Sequence, residues 1–366
     1  MELKVKPRLF TDGKRTGEFL NVLPERLTLN YPKIYTSEVS TDETCFKEVK
    51  RVKFEITKDI KELDRNLLNQ KHISGDWVKD LYETTKEYIF KTWKPEKFHL
   101  VGHSSGYDSR VISQAIFDLF KQHGKEWLGV TLFVENHGEG HLTSEILKKE
   151  GWDLKHFYHY GQGVAPDQLH SSSFQWLVYF NKFNGICSYP VNQWYDPYYK
   201  MYQDGIIPID AQYYTGYGAN EVTEMFAKHN RPISNYLSWH HTLQLGMFKD
   251  WGECIHPFWS IDWLMKLYAY KDIQHTKPRV NELVTRVISP HLNSIPRWDV
   301  PNTTKMGYKH VGFELMNNLM EFYRNSFYGK MNPIRANNWL EYLEWWGRLC
   351  TASLCEYLLK RGFKIT

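Results

Sequence analysis

Short apolar runs alternate with helical patterns through the middle of this chain, and few architectures accommodate that rhythm. Lys97-Phe98-His99-Leu100-Val101 is the first such run. Small and polar residues follow it, and then Val111, Ile112, Ala115, Ile116, Leu119 and Phe120 recur at helical spacing until Gly124, where the helix is expected to end. A strand is expected over Gly129 to Val134, a helix over His141 to Glu150 and a strand over Leu154 to Tyr158. A helix over Pro197 to Gln203 and a strand over Ile206 to Tyr214 continue the series. The alternation argues for an α/β fold: a mostly parallel sheet with helices on both faces.

The flanking parts read differently. Residues 1–73 form an N-terminal region expected to be small, α+β and β-rich, because Phe46 to Phe54 alternates at period two. Residues 74–366 are expected to form the α/β domain, opening with a helix marked by Trp77, Leu81, Tyr82, Thr85, Tyr88 and Ile89. From about Ser234 the chain reads mainly helical. Its last helix, Trp339 to Arg361, presents Trp339, Leu343 and Trp346 as a packing face.

Composition removes several classes. Hydrophobic residues at 42% and charged residues at 24% are globular usage and exclude a disordered or collagen-like chain. No apolar run is long enough to span a membrane. Met1-Glu2-Leu3-Lys4-Val5-Lys6 leads into no apolar segment, so no secretory signal is expected. The five cysteines, Cys45, Cys187, Cys254, Cys350 and Cys355, are scattered and read as reduced thiols in a cytoplasmic protein. A net charge of +4 is too mild to argue for nucleic acid by itself.

Two segments at strand ends carry the chemistry. His103-Ser104-Ser105-Gly106-Tyr107-Asp108-Ser109 lies where a strand gives way to a helix. Small residues there let backbone N–H groups form a concave nest, hydroxyls can donate to phosphate oxygens, and Asp108 could hold Mg²⁺. A plain helix N-cap would use the same residue types. Tyr214-Thr215-Gly216-Tyr217-Gly218-Ala219-Asn220-Glu221 is a second such junction, and alone it reads as a turn. Nests at two strand carboxyl ends would share one crevice of an open sheet.

Ser104 to Ser109 resembles the SGGxDS pyrophosphate loop of the N-type ATP pyrophosphatases. Thr215 to Glu221 resembles the SGEGADE segment of their asparagine synthetase branch, and Trp251-Gly252-Glu253-Cys254-Ile255-His256-Pro257-Phe258 resembles that branch's VEARxPFLD segment. The three stand in order within Ser74 to Trp298. The resemblance implies an adenine nucleotide α-hydrolase-like fold that binds ATP and Mg²⁺. It assigns Ser104, Ser105, Gly106, Asp108, Ser109, Gly216 and Gly218 to the nucleotide, and Asp108 and Asn220 to the metal. Asn220 replaces a family aspartate, which should weaken metal binding, and Ser105 replaces a glycine. Tyr217 stands where asparagine synthetases have a glutamate; in the related β-lactam and carbapenam synthetases a tyrosine assisted by a glutamate is the base. Tyr217 with Glu253 is expected to fill that role, with Lys305 or Arg297 as the cation near the acyl phosphate. Glu2 stands where the family's glutaminase has its cysteine, so glutamine hydrolysis by that route is not expected.

The implied activity is an ATP-dependent ligase that adenylates a small-molecule carboxylate and passes the acyl group to ammonia or an amine. Two alternatives stay open: an adenylating enzyme that modifies a nucleobase or nucleic acid, and a non-catalytic nucleotide-binding module. His137 and His141, at i,i+4 spacing in a glycine-broken segment, are weak metal candidates. His156, His159, His240 and His241 read as structural histidines.

Overall fold

The computed structural model describes residues 9–17, 19–30, 44–52, 56–135, 140–159, 201–202, 204–234, 237, 252–296, 320–333 and 342–366. Arg297, Lys305, His137, His240, His241, Trp339 and most of the expected helix at 197–203 lie outside these residues.

Near the amino end, strands β1 (Phe10–Thr11), β2 (Thr16–Gly17), β3 (Arg26–Leu27) and β4 (Lys50–Arg51) are short. Helix α1 (Lys58–Leu68) is capped by Thr57, whose hydroxyl accepts from the Ile60 N–H at 3.3 Å. Helix α2 (Trp77–Thr92) is capped by Asp76 and buries Leu81, Tyr82, Thr85 and Ile89. There follow β5 (Phe98–Gly102), α3 (Tyr107–Leu128), β6 (Val130–Glu135), α4 (Gly140–Glu150), β7 (Phe157–His159), β8 (Ala211–Tyr214) and β9 (Gly252–Ile255). Helices α5 (Ile261–Ala269), α6 (Val280–Ile288) and α7 (Tyr342–Lys360) and strand β10 (Lys364–Ile365) complete the elements used below.

Five strands form one parallel sheet in the order β7-β6-β5-β8-β9. Strand β5 is central, which explains its unbroken apolar run: strands covered on both faces do not alternate. Leu100 pairs with Leu132 on one side and Tyr213 on the other. Val101, Phe133, Tyr214 and Ile255 point to the face covered by α2, α3, α5 and α6. Leu100, Val134, Ala211 and Tyr213 point the other way, against Phe10, Phe19, Phe46 and the α7 residues Ala352, Leu354, Cys355 and Leu358. The expected α/β class with a parallel sheet flanked by helices is therefore what the chain forms.

The described residues before 74 pack with later parts of the chain. Their aromatic residues share the second core, while Ile60, Leu63 and Leu67 of α1 lie in the first. Strand β3 pairs in parallel with β10, and Asp64 accepts from the Ile233 and Ser234 N–H groups.

Several element bounds differ from expectation for local reasons. Among the described residues 46–52 of that alternation, β4 is the strand that forms, because Val49 turns back onto the Phe46 carbonyl and Glu48 accepts from the Thr28 N–H. The strand read over Ile206 to Tyr214 starts only at Ala211, after Asp210 at φ 80°. Asp153 caps a 3-10 turn at Leu154–His156, so β7 begins at Phe157. Gly124 interrupts α3 with φ 80°, and the chain then resumes helical geometry to Leu128. Gly140 opens α4, one residue before the expected start at His141.

Candidate functional site

The chain runs from β5 outward through β6 to β7, then returns to β8 on the other side of β5. Strands β5 and β8 therefore flank the point where the order reverses, and in open parallel sheets ligand crevices lie outside the carboxyl ends there. Both sequence-marked loops leave from those two ends.

The first loop is tied from within. Ser109 Oγ–H is shared between the carbonyls of Ser104 (2.7 Å) and Gly106 (2.8 Å), and the same oxygen accepts from the Ser104 N–H at 3.2 Å. Ser109 thus shapes the loop, where the sequence suggested a hydroxyl free to meet phosphate. Ser104 Oγ accepts from the Gly106 N–H at 3.1 Å and lies 3.3 Å from Ser109 Oγ, and Ser104 is half-buried where Ser109 is buried. Ser105 is fully buried and belongs to the loop's support rather than its rim. Gly106 caps α3 with no side-chain hydrogen bond, at the helix end where backbone N–H groups have no intrahelical acceptor.

The second loop meets the first directly. A Cβ on Gly216 would lie 2.8 Å from the Asp108 Cβ, so only glycine lets the two backbones approach this closely. Thr215 continues the ladder through its N–H to the Ile255 carbonyl (3.1 Å), and its hydroxyl accepts from the Tyr217 N–H at 3.2 Å. Gly218 sits at φ 79°, a left-handed conformation that glycine adopts freely. Asn220 then leads into a turn of wide helix over Glu221–Phe226.

The third segment closes the group. After β9, Pro257–Trp259 makes a 3-10 turn, and the Trp259 indole donates to the Tyr217 carbonyl at 3.4 Å. From α6, the Asn281 amide donates to Asp108 Oδ1 at 2.7 Å, and Glu224 accepts from the Val280 N–H at 3.2 Å. Sequence reasoning missed Asn281, which stands in no motif and is brought in by the parallel run of α6 beside α3.

Electrostatics revise two assignments. Burial, and then the Glu221 carboxylate, push the Tyr217 phenol well above its ordinary value, which keeps it protonated. Burial also raises the Glu221 carboxyl, with Arg279 working against it, and a raised carboxylate is the better proton acceptor. The bonds that Glu253 makes lie elsewhere. It pairs with Gln212 near the start of β8, and its carboxylate accepts from Lys94 Nζ (2.9 Å) and Gln212 Nε2 (3.0 Å). Burial alone would raise its pKa, but those two bonds, with the charges of Lys94 and Lys97, hold it below the usual carboxylate value. It lies toward the end of the sheet where strands begin, away from the crevice.

Asp108, Asn220 and Ser104 stand on the two loops and carry hard oxygens of the kind Mg²⁺ takes beside phosphate, although no cluster of three or more carboxylate, histidine or cysteine side chains suited to a metal ion occurs among the described residues. No family model matches the sequence, and no curated protein matches it.

Proposed function

We propose that this chain is an ATP-dependent, AMP-forming carbon–nitrogen ligase with the adenine nucleotide α-hydrolase-like fold of the asparagine synthetase branch. One observation carries the reading: two Ser/Gly loops at the reversal point of a parallel sheet touch through Gly216 and Asp108, with the third family-like segment bonded to Tyr217. The strand order and the order of the three segments both support it.

In this reading ATP lies across the carboxyl ends of β5 and β8. Its phosphates meet the first-turn N–H groups of α3 and the Ser104 hydroxyl, and the close approach at Gly216 leaves the second loop's backbone beside them. Asp108, with Asn220, would hold Mg²⁺, which would supply charge neutralisation for the leaving pyrophosphate. A substrate carboxylate attacks the α-phosphorus, forming an acyl-adenylate as the bond to pyrophosphate breaks. An amine then attacks the activated carbonyl; the C–N bond forms, the C–O bond to AMP breaks and the amine proton passes to Glu221. The protonated Tyr217 phenol donates to the reacting group beside Glu221. Positioning and fixed charge account for most of the rate in such a site.

The test is pyrophosphate exchange into ATP, screened over carboxylic acids, amino acids and nucleic acids, beside calorimetry of MgATP binding. Asp108→Ala should lose the Mg-dependent part of ATP affinity. Equal affinity in parent and variant would remove the loop from the proposal, and exchange dependent on RNA alone would favour the nucleobase-modifying reading.

A further inference from the structure

Asp108 is gripped from outside its own loop. It is the second residue of α3, and the Asn281 side-chain amide donates to its Oδ1 at 2.7 Å. An ionised carboxylate only accepts, so the amide must turn its NH₂ end, not its oxygen, toward Asp108. That length is typical of a charge-assisted bond, which is stronger than a neutral one. Asn281 is 2% exposed and is the second residue of α6.

We propose that Asn281 is a positioning residue of the metal–phosphate site: its amide fixes the direction in which the Asp108 carboxylate meets Mg²⁺, and a clasp from the helix that leaves the second loop fixes Asn281. This rests on the reading of Asp108 as a ligand of the Mg²⁺ that accompanies ATP.

The clasp is built from Glu224 and Lys228, four residues apart. Lys228 Nζ donates to Glu224 Oε2 (2.7 Å) and to the carbonyls of Thr276 and Pro278 (both 3.0 Å), so three donor hydrogens meet three acceptors. The other Glu224 oxygen accepts from the Val280 N–H at 3.2 Å. The segment entering α6 is thereby fastened to the second loop's helix, and Asn281 is its next residue.

Helix α6 is also held by contacts that do not involve Asp108. Val280 and Val284 lie in the core shared with α3, and the buried Ser289 hydroxyl just past α6 donates to Gln114 Oε1 of α3 at 3.0 Å. Thr285, one turn after Asn281, donates its hydroxyl to the Asn281 carbonyl at 2.8 Å. The helix therefore keeps its place beside α3 without the Asn281–Asp108 bond, whose own effect falls on the carboxylate.

That effect bears on the metal. Mg²⁺ at a nucleotide takes near-ideal octahedral geometry from one or two carboxylates, phosphate oxygens and water, so the direction of a carboxylate matters as well as its charge. Groups that hydrogen-bond a ligating carboxylate orient it, and their loss typically costs about 10–100-fold in metal affinity.

The experiment is calorimetry of ATP binding in Mg²⁺ and in EDTA, on the parent, Asn281→Leu, Asn281→Ser, Asp108→Ala, Lys228→Met and the double variant Asp108→Ala/Asn281→Leu. Asn281→Leu keeps much of the volume and removes the donor. It should lower the Mg²⁺-dependent gain in ATP affinity by about tenfold or more and leave the affinity in EDTA near the parent's. Asn281→Ser should do the same, and it serves the comparison where the leucine variant fails to fold. In the Asp108→Ala background, Asn281→Leu should change nothing further, because the two residues act as one unit. Lys228→Met should reduce the gain in the same direction by a smaller factor; an unchanged gain would strike the clasp from the proposal. A purely structural role would lower ATP affinity equally with and without Mg²⁺, and its loss would add to that of Asp108→Ala. Either result, or an undiminished gain in both Asn281 variants, would overturn the positioning role while leaving the loop as a nucleotide site. A parent that binds ATP no better in Mg²⁺ than in EDTA would overturn the reading of Asp108 itself.

Discussion

Gly216 and Asp108 touch where any added atom would force them apart, so the crevice depends on a missing side chain. Gly216→Ala places a methyl carbon 2.8 Å from the Asp108 Cβ, and overpacking of this kind costs about 1–3 kcal/mol. The variant should melt lower and bind MgATP more weakly; unchanged affinity in calorimetry would show that the two loops share no ligand. Glu221 and Tyr217 divide the proton work in a way that can be separated. Adenylation needs no base, since the carboxylate is already ionised, whereas amide formation must shed an amine proton. Glu221→Gln should leave pyrophosphate exchange nearly intact and lower product yield by about 10²–10⁴-fold. Tyr217→Phe should lower product yield less. If exchange and product fall together in Glu221→Gln, Glu221 serves the nucleotide pocket instead.

The two ends of the sheet divide the labour among elements. Carboxyl ends of β5 and β8 open onto the loops, while the other end is held by Lys94, Gln212 and Glu253. The Lys94–Glu253 pair is about half exposed on both sides, and such pairs contribute roughly 0–1 kcal/mol. Glu253→Gln should therefore change neither exchange nor product yield, and should shift chemical denaturation by less than about 1 kcal/mol; a selective loss of product would return Glu253 to the chemistry. Period and composition made the central elements readable: β5, α3, β6 and α4 lie within a few residues of their expected bounds, because buried parallel strands and an amphipathic stripe both leave a mark in one short window. The loops were legible for the same reason, as runs of small residues at strand ends. What escaped was set by contacts distant in sequence. Asn281 reaches Asp108 across 173 residues, and nothing in Arg279-Val280-Asn281-Glu282 announces it. Glu253 occupies the position the resemblance gives it, yet strand register turns its side chain toward Lys94.

At the scale of the whole molecule, buried ionisable groups behind the first loop bracket the pH range in which the fold is most stable. Glu150 has a folded-state pKa raised to about 8, so its contribution is full below its ordinary unfolded value and is lost as pH climbs through the folded one. His103 is depressed to about 3, so its contribution is full above the ordinary histidine value and is lost as pH falls toward the folded one. Melting of Glu150→Gln beside the parent should show a gap that shifts in favour of the variant from about pH 5 to 8 and then levels; a gap independent of pH would mean that Glu150 does not titrate on folding. The pairing of β10 with β3 bears on how the molecule is made. The Thr366 N–H reaches the Leu27 carbonyl at 2.9 Å across 339 residues, and the Leu29 N–H returns to the Thr366 carbonyl. Contacts of such separation form late, because the intervening chain must first be ordered. During synthesis, Phe10, Phe19 and Phe46 leave the ribosome long before α7 and β10 exist to cover them. Until β10 arrives, this half of the core is therefore exposed aromatic surface, the kind of transient apolar exposure that makes incomplete chains prone to aggregate.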